Sequence, residues 1–192
     1  LLARSLSLML TIVVVGLVMV EISKSPYAKS RISRASKVWY GKPEDVAFAK
    51  SLWAALHKAK LVGPDRINVH ASRGKSPHAA VQQVLASRIH LRGRKARVIV
   101  KANHTLKGAT VQSVYDSPNA FLEAYTVMFK REPGYDPPNH NWFWVKYNPA
   151  GRIDKDSNKV SIAGHVDSAK GYGCISCHKQ RGGADLEVLT SK

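Results

Sequence analysis

Cysteine is almost absent from this sequence: 192 residues contain two, Cys174 and Cys177, separated only by Ile175 and Ser176. So few thiols exclude a multi-disulfide scaffold. No second cysteine pair completes the four-ligand set of a structural zinc site. No βαβ pattern surrounds the pair, which removes the setting of a thioredoxin-like redox centre. Acidic residues are scarce too: 13 Asp and Glu stand against 30 Lys and Arg, a formal charge of +17. That excess speaks to partners, whether nucleic acid, an anionic surface or an acidic protein, and not to fold. No internal repeat is evident, and 44% hydrophobic with 22% charged residues describes a globular chain.

Long apolar runs are confined to one place. Residues 6–22, "LSLMLTIVVVGLVMVEI", carry no charge before Glu21 and reach about the minimum length of a helical membrane span. No small-x-small cleavage site follows, so residues 1–22 read as an uncleaved transmembrane anchor rather than a signal peptide. Residues 23–42 read as a basic polar tether and 43–192 as one domain.

The cysteines have an informative neighbour. In "GYGCISCHKQRGG" (171–183) His178 directly follows Cys177. In a c-type haem site two thiols add to the porphyrin vinyl groups and the adjacent imidazole binds the iron. Cys174 and Cys177 are therefore read as the attachment points of one covalent haem c, and His178 as its proximal iron ligand. Such attachment takes place on the outer side of bacterial membranes, which with the anchor puts the main domain in the periplasm. Lys24, Lys29, Arg31, Arg34 and Lys37 oppose that orientation under the positive-inside rule, and a docking role accounts for them instead. The charge then suits the membrane and an acidic electron-transfer protein or membrane complex; nucleic acid does not fit a haem outside the cytoplasm.

Pro43, Glu44 and Asp45 open a helix with apolar Val46, Ala49, Leu52, Trp53, Leu56 and Ala59 on one face, stopped by Gly63 and Pro64. A second helix is predicted from Ser76 and Pro77 through Val81, Val84 and Leu85. Strands are predicted over 96–102, 125–130, 141–148 and 160–166, where β-branched and aromatic residues alternate between turn signals. The expected fold is α+β: a transmembrane helix, then helices, then an antiparallel sheet, with the haem motif near the C-terminus.

In that order "VAFAKSLWAAL", "SPHAAV", "RVIVKANH", "YTVMFKREPGYDPPNHNWFWVKYNPAG" and "GCISCHK" resemble the cytochrome P-460 family and its relatives, the beta-sheet cytochromes c-prime. The likeness covers roughly residues 45–189, and only the last piece is specific by itself. It implies haem on Cys174 and Cys177 with His178 proximal. In members that oxidise hydroxylamine a strand lysine is cross-linked to the porphyrin, which makes Lys101 the candidate here. It also implies a distal face open to hydroxylamine or nitric oxide. The distal carboxylate of that pattern has no clear match; Glu123 and Glu132 are the nearest acids.

The alternative for Lys101 is an outward lysine at a strand end. His78, at a helix start whose positive end favours neutral imidazole, and Met128 are candidate sixth ligands. Methionine on a strand is otherwise core filler. Trp142, Trp144 and Lys146 share one face of their strand and Phe143, Val145 and Tyr147 the other, so one face could wall a haem. The run "RGRKAR" (92–97) reads as a hairpin turn or a docking patch.

Two functions follow. One is a membrane-anchored monohaem cytochrome carrying electrons on the periplasmic face, as a subunit or docked donor of a respiratory or photosynthetic complex. The other is a haem enzyme or sensor acting on hydroxylamine or nitric oxide. The charge and the anchor favour the first.

Overall fold

A computed structural model describes residues 38–189, apart from residues 76, 106, 107, 169, 170 and 172. Its centre is one antiparallel sheet of seven strands in the order β1-β7-β6-β5-β4-β3-β2. The strands are β1 (Val38–Tyr40), β2 (Ala71–Arg73), β3 (Val81–Leu91), β4 (Arg94–His104), β5 (Leu122–Lys130), β6 (Trp142–Tyr147) and β7 (Ala163–Ser168). From β2 to β7 every neighbour in the sheet is also a neighbour in sequence, and only β1 pairs across the fold, with β7. Among the described residues three α-helices accompany the sheet: α1 (Pro43–Lys58), α2 (Val111–Asp116) and α3 (Cys174–Gln180).

This architecture corrects the expected one. The described residues are mostly sheet, and the second predicted helix is strand β3. Its apolar residues at 81, 84 and 85 mimic helical spacing, but β3 pairs along its whole length with β4, from Val81 opposite His104 to Leu91 opposite Arg94. A two-residue turn joins them, with positive φ at both Arg92 (50°) and Gly93 (76°). Such primed turns match the right-handed twist of paired strands. Part of the expected tether is strand β1.

The anchor expected over residues 6–22 lies outside the described residues. No described helix is long and apolar enough to cross a membrane. The expectation of a membrane-anchored protein with a periplasmic domain is therefore unsupported and is set aside.

Period-two alternation divides β4, β5 and β6 between two cores. On one face Val98, Val100, Val127 and Phe143 pack with Phe48, Leu52 and Leu56 of α1. α1 forms where Pro43 occupies the first turn and Glu44 and Asp45 complement the positive end. On the opposite face Ile99, Met128, Trp142 and Trp144 pack with Ile175 of α3 and with Leu186 beyond it.

Candidate haem site

α3 begins at Cys174 and is pressed against β7. A Cβ on Gly173 would lie 2.4 Å from the Val166 carbonyl oxygen and 2.6 Å from the Asp167 Cα, so only glycine permits this approach. One turn on, the Ser176 hydroxyl reaches both Asp167 carboxylate oxygens, at 2.7 and 2.8 Å. Ile175 fills the apolar core beneath. Positions 174, 177 and 178 fall on one helical side by their i, i+3, i+4 spacing, which gathers both thiols and the imidazole.

A cavity of about 480 Å³ lies against this helix, lined by Lys75, His78, Lys101, Cys177, His178 and Arg181 among others. A smaller void of about 20 Å³ adjoins Cys174, Met128, Trp144 and the same two histidines. The larger volume lies in the range that holds small-molecule and cofactor ligands.

His178 is 5% exposed, and its Nδ1 lies 2.6 Å from the Leu186 carbonyl oxygen. A carbonyl only accepts, so Nδ1 carries the proton and Nε2 keeps a lone pair. This is the arrangement that orients a metal-binding histidine and raises its basicity. The Trp144 ring stands edge-on to it at 4.7 Å. Burial lowers the His178 pKa, which favours the neutral ring that a metal requires.

His78 faces His178, with ring centres 6.2 Å apart and planes at 83°. It stands in a turn before β3 rather than at a helix start. Its neutrality therefore comes from burial, reinforced by Lys101 and His178, which lower its pKa to about 4. Thr126 Oγ1 lies 3.5 Å from His78 Nδ1. Thr126 in turn accepts from Asn103 Nδ2 at 3.2 Å, and Asn103 Oδ1 accepts from Gln82 Nε2 at 3.1 Å. With Nδ1 directed to this polar network, Nε2 is the nitrogen left for a metal.

Lys101 is not an outward lysine: it is 5% exposed, within β4, and lines both voids. Burial is the chief cause that lowers its pKa to about 8. Met128 is packed among Ile99, Trp142 and Trp144 as core. Glu132 pairs with Arg131, which holds its carboxyl down at about 2, and neither Glu132 nor Glu123 lines the cavity. Among the described lining residues the one carboxylate is Glu187, bound at both oxygens by Arg97. The sequence offered no sign of Glu187, Asn103, Thr126 or the Leu186 carbonyl as parts of this site.

The basic run 92–97 is not a simple solvated patch. Arg92 lies over the Phe48 ring at 5.0 Å, Arg94 donates to the Lys130 carbonyl, and Arg97 holds Glu187.

These residues fit a haem by their donor chemistry. Of two thiols a helical turn apart, Cys177 lines the larger cavity and Cys174 the smaller void, and two neutral imidazoles border both. Among the described residues no group of three or more His, Cys, Asp or Glu could hold a metal ion by itself. The Trp144 Nε1 donor is buried and has no partner among the described residues. Compared with family models, curated proteins and solved structures, the chain finds no match. No comparison therefore supports the P-460 likeness.

Proposed function

We propose that the protein is a monohaem c-type cytochrome of P-460 type that carries electrons. In this reading Cys174 and Cys177 would hold one haem c, and His178 and His78 would supply imidazole ligands to its iron. The facing pair of histidines carries the proposal. Their ring centres lie 6.2 Å apart beside the cavity, which supports this reading. When bound, the haem supplies a one-electron iron couple. Burial keeps both imidazoles neutral, and the Leu186 carbonyl on one side and the Thr126–Asn103–Gln82 network on the other orient them. Two imidazole ligands would leave no place on the iron for a substrate, which favours electron transfer over substrate binding. The charge of +17 favours an acidic protein partner.

Denaturing electrophoresis followed by a reduced optical spectrum tests this reading. Haem should stay on the polypeptide and be lost from the Cys174→Ala, Cys177→Ala double variant. The reduced spectrum should be low-spin with slow carbon monoxide binding, and His78→Ala should make it high-spin and fast. A five-coordinate spectrum in the unaltered protein would overturn electron transfer.

The buried position of Lys101 favours a second reading, a P-460-type enzyme or sensor acting on hydroxylamine or nitric oxide. Its amine sits beside the same cavity, where a lysine–porphyrin bond would form. Mass spectrometry that joined the Lys101 peptide through haem to the Cys174–Cys177 peptide would select it.

A further inference from the structure

The chain beyond α3 is held by an unusual number of side chains for a short coil. Asp185 and Leu186 follow one another with φ of 52° and 60°, although neither is glycine. Left-handed backbone at two successive residues persists only where the surroundings enforce it. Here the surroundings are explicit. Lys130 Nζ reaches both oxygens of the Asp185 carboxylate, at 2.7 and 2.6 Å, and His140 Nδ1 lies 2.9 Å from one of them. Trp142 Nε1 donates to the Asp185 carbonyl at 2.7 Å. Arg97 grips Glu187 on the far side. All these anchors come from the sheet or the turn before β6, and they converge on the two peptide units flanking the carbonyl of Leu186.

We propose that Asp185 is a positioning residue for the proximal ligand, fixing the Leu186 carbonyl on His178 through Lys130, His140 and Trp142. The inference rests on the haem reading above. A histidine that donates Nδ1–H to a fixed carbonyl is a stronger donor through Nε2, and a stronger donor favours oxidised iron. A loosened segment would weaken that hydrogen bond and favour the reduced state.

The test is a redox titration of the holoprotein carrying Asp185→Asn, Lys130→Gln or Trp142→Phe. Removing a negative charge raises a nearby midpoint potential and removing a positive charge lowers it, so a pure field effect moves Asp185→Asn and Lys130→Gln in opposite directions. Positioning moves all three upward. The expected size is about a tenfold change in the reduced-to-oxidised ratio at fixed poise, about 59 mV for one electron. Lys130→Arg, which retains the pair, should stay near the unaltered protein. Glu132→Gln, which breaks the 2.6 Å pair with Arg131, itself stacked on Phe48 of the α1 side, is the control and should not move with the three. Shifts of opposite sign, or none, would overturn the positioning role. If Asp185→Asn fails to accumulate, Lys130→Gln and Trp142→Phe decide between the same outcomes. Absence of covalent haem from the unaltered protein would instead remove the functional reading itself, a result the haem stain reveals before any titration.

Discussion

On the α1 side of the sheet, Val98, Val100, Val127, Phe143 and Val145 are buried against one another and against the helix. On the α3 side the alternate residues of the same strands include Lys101, Asn103 and Thr126, and a cavity opens beside them. The two faces share backbone, register and neighbours, so their difference lies in side chains alone. The first face gains stability from removing apolar surface from water. The second keeps buried polar groups that cost stability unless satisfied. One face holds the sheet together, and the other spends part of that stability on a site.

The largest expected effect breaks the comparison on its apolar side. Phe143 is fully buried, between Phe48 at 4.7 Å and Tyr135 at 6.3 Å between ring centres. Phe143→Ala should cost about 3–5 kcal/mol in chemical denaturation. On the proposed reading, the folded fraction should keep the unaltered haem spectrum. A changed spectrum would mean that the faces are coupled.

A smaller effect concerns a polar residue on the wrong side. His104 is fully buried on the α1 face, and neither ring nitrogen has a partner among the described residues. Burial, with a contribution from Arg66, lowers its pKa to about 4, against an ordinary value of 6.5. The unfolded chain therefore binds the extra proton first as pH falls. His104 stabilises the fold fully above pH 6.5, and that contribution drains away between pH 6.5 and about 4. The loss should reach about 3 kcal/mol at most. His104→Leu should flatten the slope of stability against pH in this window; an unchanged slope would assign the acid sensitivity to His78 or His178.

The smallest effect sharpens the comparison on its polar side. Lys101→Met keeps length and removes a buried amine, so stability should rise by about 1 kcal/mol in the same denaturation assay. A loss of stability would show that the amine is held by a bond the fold depends on, as a porphyrin link would be.

What the sequence revealed and what it concealed divide along physical lines. α1 was legible because Pro43, Glu44 and Asp45 mark its start and its apolar spacing is regular. The alternation in β6 was legible because Trp142–Tyr147 assigns large side chains to both faces without a break. The Cys-x-x-Cys-His cluster was legible because its residues are adjacent in the chain. β3 was misread because its apolar residues at 81, 84 and 85 suit a helix, while their partners on β4 (His104, Lys101 and Val100) lie 15 to 23 positions away. The Leu186 carbonyl was invisible for a different reason: any residue has a carbonyl, and its direction depends on φ values that Asp185 and Leu186 seldom adopt.

The strand order has a kinetic consequence. Successive pairing from β2 to β7 lets each strand join the one before it in the chain, so no strand in that run needs a partner from the far end of the sequence. β1 is the exception, because it must wait for β7, the strand that also receives Gly173 and the start of α3. Closure of the sheet and seating of α3 thus converge on one strand. The polar floor of the site is complete before its roof can dock.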